Sequence, residues 1–438
     1  MISLEKVLSA QNMLLACKRV RVNKGAPGVD GMTVDELEGH FRRHWASICA
    51  HIREGRYIPS PVKRVDIPKP DGGTRMLGIP TVQDRLIQQA IAQVLVEHFD
   101  PTFSEFSYGF RPGRSAHQAI EQTQRYIAEG CSWIVEMDLA KFFDTVNHDR
   151  LISVLERNCR DKMLIRLIRR YLRTGILADG LVTPRDEGTP QGSPLSPILS
   201  LIVLDELDKY LEKRGLKFCR YADDCNIYVA SERAGNRVLT NTIKFIEETL
   251  KLRVNRDKSG VFRPRRAKFL GYTFVGKTGQ PLVHPKSFKR LKDKLRAVFY
   301  RARGGSLFRT IGELNAILRG WRQYFRLDNR KGVFAALDIH IRRHLRKLVW
   351  IAWKRPRTRE RELQRRGLDD FRAWKSANNG RGAWWVECQR TPHARRVPAV
   401  FLQTTRTLQP PRDALSPPLL LTRKPPDAER HVRTLSTD

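Results

Sequence analysis

Tyr221-Ala222-Asp223-Asp224 sets two adjacent carboxylates between two short β-like runs, Leu216–Tyr221 and Cys225–Ala230. The β-branched and aromatic residues of those runs read as strands, which puts the Asp pair at or beside a tight turn. A third acid, Asp138, closes another apolar run, Trp133-Ile134-Val135-Glu136-Met137-Asp138, with the aromatic pair Phe142-Phe143 close behind. Taken alone, Asp-Asp is ordinary turn chemistry. Three carboxylates delivered by strand ends are a different matter. They suit a pair of divalent cations roughly 3.5–4 Å apart, one activating an attacking oxygen and one holding the leaving oxygen in phosphoryl transfer. Without a cation such anions repel one another, so the cluster itself argues for metal.

The surroundings narrow the reading. Upstream stand Gly25-Ala26-Pro27-Gly28-Val29-Asp30-Gly31, then Ile67-Pro68-Lys69-Pro70-Asp71-Gly72-Gly73-Thr74-Arg75 running on to Gly78-Ile79-Pro80, then Tyr108-Gly109-Phe110-Arg111-Pro112-Gly113-Arg114-Ser115. Asp138-Leu139-Ala140-Lys141-Phe142-Phe143-Asp144 follows. After it come Gly188-Thr189-Pro190-Gln191-Gly192-Ser193-Pro194-Leu195-Ser196-Pro197, the Asp-Asp turn, and Phe269-Leu270-Gly271-Tyr272. In this order and spacing the chain resembles reverse transcriptases, most closely those encoded by bacterial group II introns, over roughly residues 20–385. The resemblance stops beyond Trp385 and no His/Cys cluster of the nuclease type follows. The expected kind is therefore endonuclease-lacking and class C-like.

Composition points the same way. A formal charge of +35 and a pI near 10.5 suggest a polyanionic partner, nucleic acid before a membrane surface. No apolar stretch approaches the roughly 20 residues needed to span a bilayer. Glu5 and Lys6 interrupt the N-terminal apolar pattern, which lacks a signal-peptide layout. Seven cysteines are scattered without CxxC pairs, so neither a zinc site nor a disulfide framework is indicated. The expected setting is the bacterial cytoplasm, on nucleic acid, with no membrane and no stable protein partner.

A chain of 438 residues can hold two or three domains. Residues 1–60 read as mainly helical. Val62–Ile67 and Thr74–Ile79 read as a hairpin about Pro-Asp-Gly-Gly, and Val82–His98 and Ala116–Glu129 as helices. One helix is expected with Asn147 as N-cap, and another from Ser193-Pro194 to a stop at Gly215. Strands and helices mixed in this order favour α+β architecture over a doubly wound parallel sheet. The resemblance implies a right-hand polymerase of fingers, palm and thumb, with an antiparallel palm sheet backed by helices.

From Ser287 three segments carry apolar residues at helical spacing: Phe288, Leu291, Leu295, Val298; then Ile311, Leu314, Leu318, Trp321, Phe325; then Phe334, Leu337, Ile341, Leu345, Leu348. Arg and Lys dominate their other faces. Arg319-Gly320-Trp321 and Asn378-Asn379-Gly380-Arg381-Gly382-Ala383-Trp384-Trp385 resemble the family's α-helical thumb, or maturase (X) domain. The expected division is fingers and palm over 1–285, thumb and maturase over 286–385, and a basic, Pro-rich tail over 386–438 that reads as disordered.

The resemblance makes Asp138, Asp223 and Asp224 catalytic. With Leu139 they form the metal set, for two Mg²⁺ ions with Mn²⁺ as a substitute. Lys69 and Arg75 flank the fingertip turn on opposite strands and suit an incoming triphosphate, although basic residues at exposed turns are commonplace. Phe143 falls where the family places a ring that excludes a 2′-hydroxyl; the alternative is a core Phe, which suits Phe142 better. Gln191, beside Gly192, would border the nucleotide; outside the resemblance it is a turn leading into a helix. Lys258, after Asn255, is either the family's downstream Lys that protonates pyrophosphate or a solvated Lys. Arg111 and Arg114 contact template or satisfy local carbonyls. Asp144 stands outside the catalytic set.

The expected function is thus RNA-directed DNA synthesis from an RNA template, a group II intron RNA, with a DNA primer and dNTPs. Maturase binding of the intron would assist splicing and mobility. Two alternatives stay open. One is a reverse transcriptase recruited to phage defence or CRISPR adaptation, which fused helicase, nuclease or integrase segments would signal. The other is a non-catalytic RNA-binding splicing factor, which loss of any of the three Asp would signal. Phe143, and Tyr-Ala-Asp-Asp in place of Gly-Asp-Asp, argue against an RNA-dependent RNA polymerase.

Overall fold

The computed structural model describes residues 2–68, 72–140, 142–178, 181–183, 187–189, 192–303 and 305–378; Lys69, Gln191, the segment from Asn379 and the 386–438 tail lie outside these. The chain divides into two compact units, Met1–Lys294 with Tyr324–Asp328, and Leu295–Gln323 with the described residues from Asn329 on.

The first unit opens with α1 (Leu4–Leu8), α2 (Ala10–Asn23) and α3 (Leu37–Arg53), the helical start the sequence predicts. Strands β1 (Val62–Pro68) and β2 (Thr74–Ile79) pair antiparallel as the expected hairpin. They belong to a sheet of order β2-β1-β4-β5, with β4 (Ile176–Ala178) parallel to β1 and β5 (Leu181–Thr183) antiparallel to β4. Helix α4 (Val82–Phe99) is buried on nearly every side, as an apolar helix through a core must be. Then come α5 (Ala116–Ala128), opened by a Ser115/Gln118 capping box, β3 (Trp133–Met137), and the short α6 (Phe142–Thr145). Next are α7 (His148–Asn158), capped by the Asn147 side chain as expected, and α8 (Lys162–Arg173). Helix α9 (Ser196–Lys213) starts later than the sequence suggests. Ser193 Oγ donates to Gln88 Oε1 at 2.8 Å and accepts the Leu195 N–H at 3.2 Å, a turn ahead of the helix, and Pro197 rather than Pro194 stands in the first helical turn.

Strands β6 (Lys217–Tyr221) and β7 (Asp224–Val229), then α10 (Glu232–Lys244) and β8 (Gly260–Phe262), complete the central sheet, whose order is β6-β7-β3-β8. Every pairing in it is antiparallel. Helices α5, α9 and α10 pack against it, and one continuous core joins it to α1–α4 and α7–α10. This is the α+β palm the sequence leads one to expect. A second hairpin, β9 (Tyr272–Val275) with β10 (Gln280–Val283), follows.

Helix α11 (Pro285–Arg301) begins in the first unit and ends in the second. The second unit continues through α12 (Leu307–Tyr324) as far as Gln323, then α13 (Lys331–Ala352), α14 (Pro356–Gln364) and α15 (Asp370–Ala377). The expected stripes are core: Leu291, Leu295 and Val298 on α11, Leu314 and Leu318 on α12, and Phe334, Leu337, Ile341, Leu345 and Leu348 on α13 are all buried. Trp350, Leu363, Leu368 and Ala373 form a small separate cluster. Among the described residues no helix is long and apolar enough to cross a membrane. Cys17, Cys49, Cys131, Cys159, Cys219 and Cys225 are free thiols.

Candidate active site

Register brings the acids together. Met137 on β3 pairs with Cys225 on β7, so one step further Asp138 stands opposite Asp224. Side chains that face each other across paired strands share a face of the sheet. Tyr221 pairs with Asp224, which leaves Ala222 and Asp223 as a two-residue turn. Ala222 has φ 58°, the pattern of a II′ hairpin, where glycine is usual. Two neighbours hold this strained backbone. The Arg220 guanidinium donates to the Ala222 carbonyl at 3.0 Å. A Cβ on Gly109 would lie 2.3 Å from the Ala222 nitrogen, so the Tyr108–Ser115 motif runs backbone to backbone against the turn.

Sequence reasoning missed Arg220. It is 1% exposed, and its Nε donates to Asp208 Oδ1 at 2.7 Å while Nη2 donates to Ser107 Oγ at 2.7 Å. A buried guanidinium is tenable only with such a counter-charge and filled donors. The available signal was Asp208 itself, an acid on the Leu204, Leu207 and Leu211 face of α9 that needs a buried partner.

Asp138 is oriented from the segment before β8. Asn255 Nδ2 donates to its Oδ2 at 3.0 Å, and the Asp138 N–H donates to Ser259 Oγ at 3.0 Å. Lys258 Nζ lies 4.0 Å from the same Oδ2 on an exposed side chain. Although Asp224 reaches solvent, the protein packed around it, then the charges of Asp223 and Asp138, push its carboxyl up to about 6. Burial and Asp138 also raise Asp223, against the pull of Arg75 and Arg220. The second fingertip strand therefore faces the acids with a cation. Glu136, two residues before Asp138 on the same face, accepts the Lys268 N–H; burial, then Asp224 and Asp138, push it up to about 7.

Clustered carboxylates repel one another, and such a cluster is a donor set that a divalent cation would relieve. Among the described residues no group of three or more His, Cys, Asp or Glu side chains is placed to hold a metal ion. The bridge between Leu139 and Val254 is made by the Asp138 carbonyl, bonded by Asn255 N–H, and by the Ala140 N–H on the Arg253 carbonyl. The Leu139 carbonyl takes no bond in it.

Phe142 is core, 2% exposed, whereas Phe143 is half-buried and its carbonyl accepts the Thr189 N–H at 2.5 Å. A Cβ on Gly192 would lie 2.9 Å from the Gly78 carbonyl oxygen on β2. The described neighbours of Gln191 thus reach from α6 to the fingertip strand. Gln191 itself and Lys69 lie outside the described residues. Of the two readings of Arg111 the local one holds: the side chain pairs with Asp100 at 2.7 Å and donates to the carbonyls of Asp100, Ser104 and Ser107. Arg114 lies over the Tyr108 ring, 5.8 Å from its centroid.

A reverse transcriptase (RNA-dependent DNA polymerase) family model matches residues 67–274, and a group II intron maturase-specific domain matches residues 288–367. Protein YkfC of Escherichia coli is 31% identical over 58% of this chain and 78% of its own length. The chain belongs to the group II intron reverse transcriptase family. Within that family it is 35% identical to the group II intron-encoded protein LtrA of Lactococcus lactis, over 56% of this chain and 40% of LtrA. It therefore spans less than half of that relative. Nuclear intron maturase 2 of Arabidopsis thaliana is 30% identical over 32% of this chain and 24% of its own length. Among solved structures, a chain of a Cas6-RT-Cas1–Cas2 complex is 26% identical across 56% of this chain and 42% of that one, with a TM-score of 0.36.

Proposed function

We propose that this reverse transcriptase family member extends a DNA primer on an RNA template by nucleotidyl transfer, and that its RNA partner is a group II intron whose splicing and mobility it assists. The observation that carries the reading is the opposition of Asp138 and Asp224 across paired strands, with Asp223 in the adjoining turn and Arg75 pulling on it. Asp138, Asp223, Asp224 and the Leu139 carbonyl would hold two Mg²⁺ ions, or Mn²⁺ in their place. When bound, these ions supply Lewis acidity to the primer 3′-hydroxyl and the leaving pyrophosphate.

The remaining roles fall to the chain. Arg75 and Lys69 grip the triphosphate, with Gln191 beside the nucleotide and Phe143 against its C2′. Lys258 donates a proton to departing pyrophosphate. The helical region 286–385 sets basic faces against RNA phosphates, a role that the maturase-domain match supports. The setting is the bacterial cytoplasm. Asp223→Asn keeps the size and removes one ligand charge. Mg²⁺-dependent extension on an RNA template should fall by orders of magnitude while RNA affinity is retained. Normal extension by this variant overturns the assignment.

A further inference from the structure

The fingertip hairpin joins the body of the first unit through two chain segments, and both are tied to one carboxylate. Ser60, just before β1, donates its N–H to Asp84 Oδ2 at 3.1 Å. Thr81, just after β2, donates its hydroxyl to the same oxygen at 2.7 Å. The other oxygen, Oδ1, accepts from Tyr57 at 2.7 Å and from Tyr171 on α8 at 3.2 Å. Asp84 is 1% exposed, and a carboxylate so buried persists only where its lone pairs are filled.

That shell is itself braced. Arg170 donates to the Tyr57 carbonyl, Gln83 donates to the Tyr57 hydroxyl at 3.0 Å, and His40 pairs with Gln83 at 2.8 Å. The Gly25–Gly31 motif closes on the same foot. A Cβ on Gly28 would lie 2.7 Å from the Thr81 Cα, and Arg85 donates to the Ala26 carbonyl at 2.7 Å. Beyond the feet β1 is largely exposed and β2 is exposed only at Thr74 and Arg75, while β1 meets β4 only at Val62 and Lys63, beside the first foot. The direction of the hairpin is therefore set where it is anchored.

We propose that Asp84 is a positioning residue for nucleotide capture, fixing the angle at which the hairpin presents Arg75 to the acids. The role rests on the reading of Arg75 as a triphosphate contact. Steady-state primer extension with dNTP varied tests it. Asp84→Asn turns an amide donor against two donors, and Thr81→Val removes the β2-foot donor at constant shape, together with the cap that Thr81 Oγ1 gives the Asp84 N–H at 3.1 Å. Each should raise the dNTP KM about tenfold with kcat and primer–template Kd within about twofold, the signature of lost uniform binding. Tyr171→Phe removes a donor that belongs to α8 and not to the hairpin. It should lower Tm, by less than Thr81→Val, which also loses the α4 cap, and leave KM unchanged.

Arg75→Ala controls the underlying reading and should raise KM. If Arg75→Ala raises KM and Thr81→Val does not, the role of Asp84 is overturned and the Arg75 reading stands. If Arg75→Ala leaves KM unchanged, the Arg75 reading falls and takes this role with it. A KM that rises equally in Tyr171→Phe and Thr81→Val makes the effect one of stability, and also overturns the role. Should Asp84→Asn fail to fold, the Thr81→Val and Tyr171→Phe comparison decides.

Discussion

Asp224 holds its proton up to about pH 6 in the folded chain, against an ordinary value of 3.8. A folded pKa above the unfolded one means that folding favours protonation. The associated stability is fully present below about pH 4 and is lost as pH rises through about 6. The nominal size is about 3 kcal/mol, and because Asp224 reaches solvent, screening reduces it to about 1 kcal/mol. Asp224→Asn in EDTA should therefore melt above the native chain at pH 8 and level with it at pH 4. Added Mg²⁺ should narrow the pH 8 gap by stabilising the native chain. An equal difference at both pH values would remove the Asp224 charge as its cause. If Phe143 is the ring proposed to lie against C2′, Phe143→Val opens room there. Incorporation of ribonucleotides relative to deoxynucleotides should rise by about 10- to 100-fold, read by competition on one primer–template. A ratio that does not move places Phe143 in the core with Phe142.

β6, α9 and the segment before α5 meet at Arg220, and the Ala222-Asp223 turn depends on that junction. Asp208→Asn leaves a guanidinium buried without its counter-charge, which should destabilise by about 3–5 kcal/mol, measured by urea unfolding. Asp208→Leu with Arg220→Met replaces the pair by apolar residues and should recover most of that stability. It does not restore the bond to the Ala222 carbonyl. The double variant should then fold well and extend primers poorly. Full activity in a stable double variant would show that the turn holds its shape without Arg220.

The whole chain carries a formal charge of +35, and on α11 its cations lie opposite a buried stripe. On α11, Lys289, Lys292 and Lys294 are exposed while Leu291, Leu295 and Val298 are core. Binding that neutralises about 6–10 phosphates should lose about 10³-fold or more in RNA affinity between about 50 and 200 mM salt. Changing the three lysines to Gln should lower affinity and flatten the salt slope by about one for each phosphate left unneutralised, with Tm unchanged. Unchanged affinity and slope would make α11 structural only.

Much of this fold is local and was legible for that reason. The fingertip strands, the Asn147 cap and the three stripes of α11–α13 each follow from neighbours a few residues apart. The three Asp stood out because their chemistry admits few substitutes, and the motifs around them carry the resemblance. Their opposition was not legible, since it depends on Met137 meeting Cys225 from a distant strand. The start of α9 lies three residues beyond the expected one, because Ser193-Pro194 and Ser196-Pro197 offer the same local signal for a first turn. Arg220, Glu136 and Asp84 were silent for one physical reason. A polar residue in a strand or helix reads the same whether it meets water or a partner. Packing alone decides which, because only in the folded chain does burial make an unpaired charge untenable.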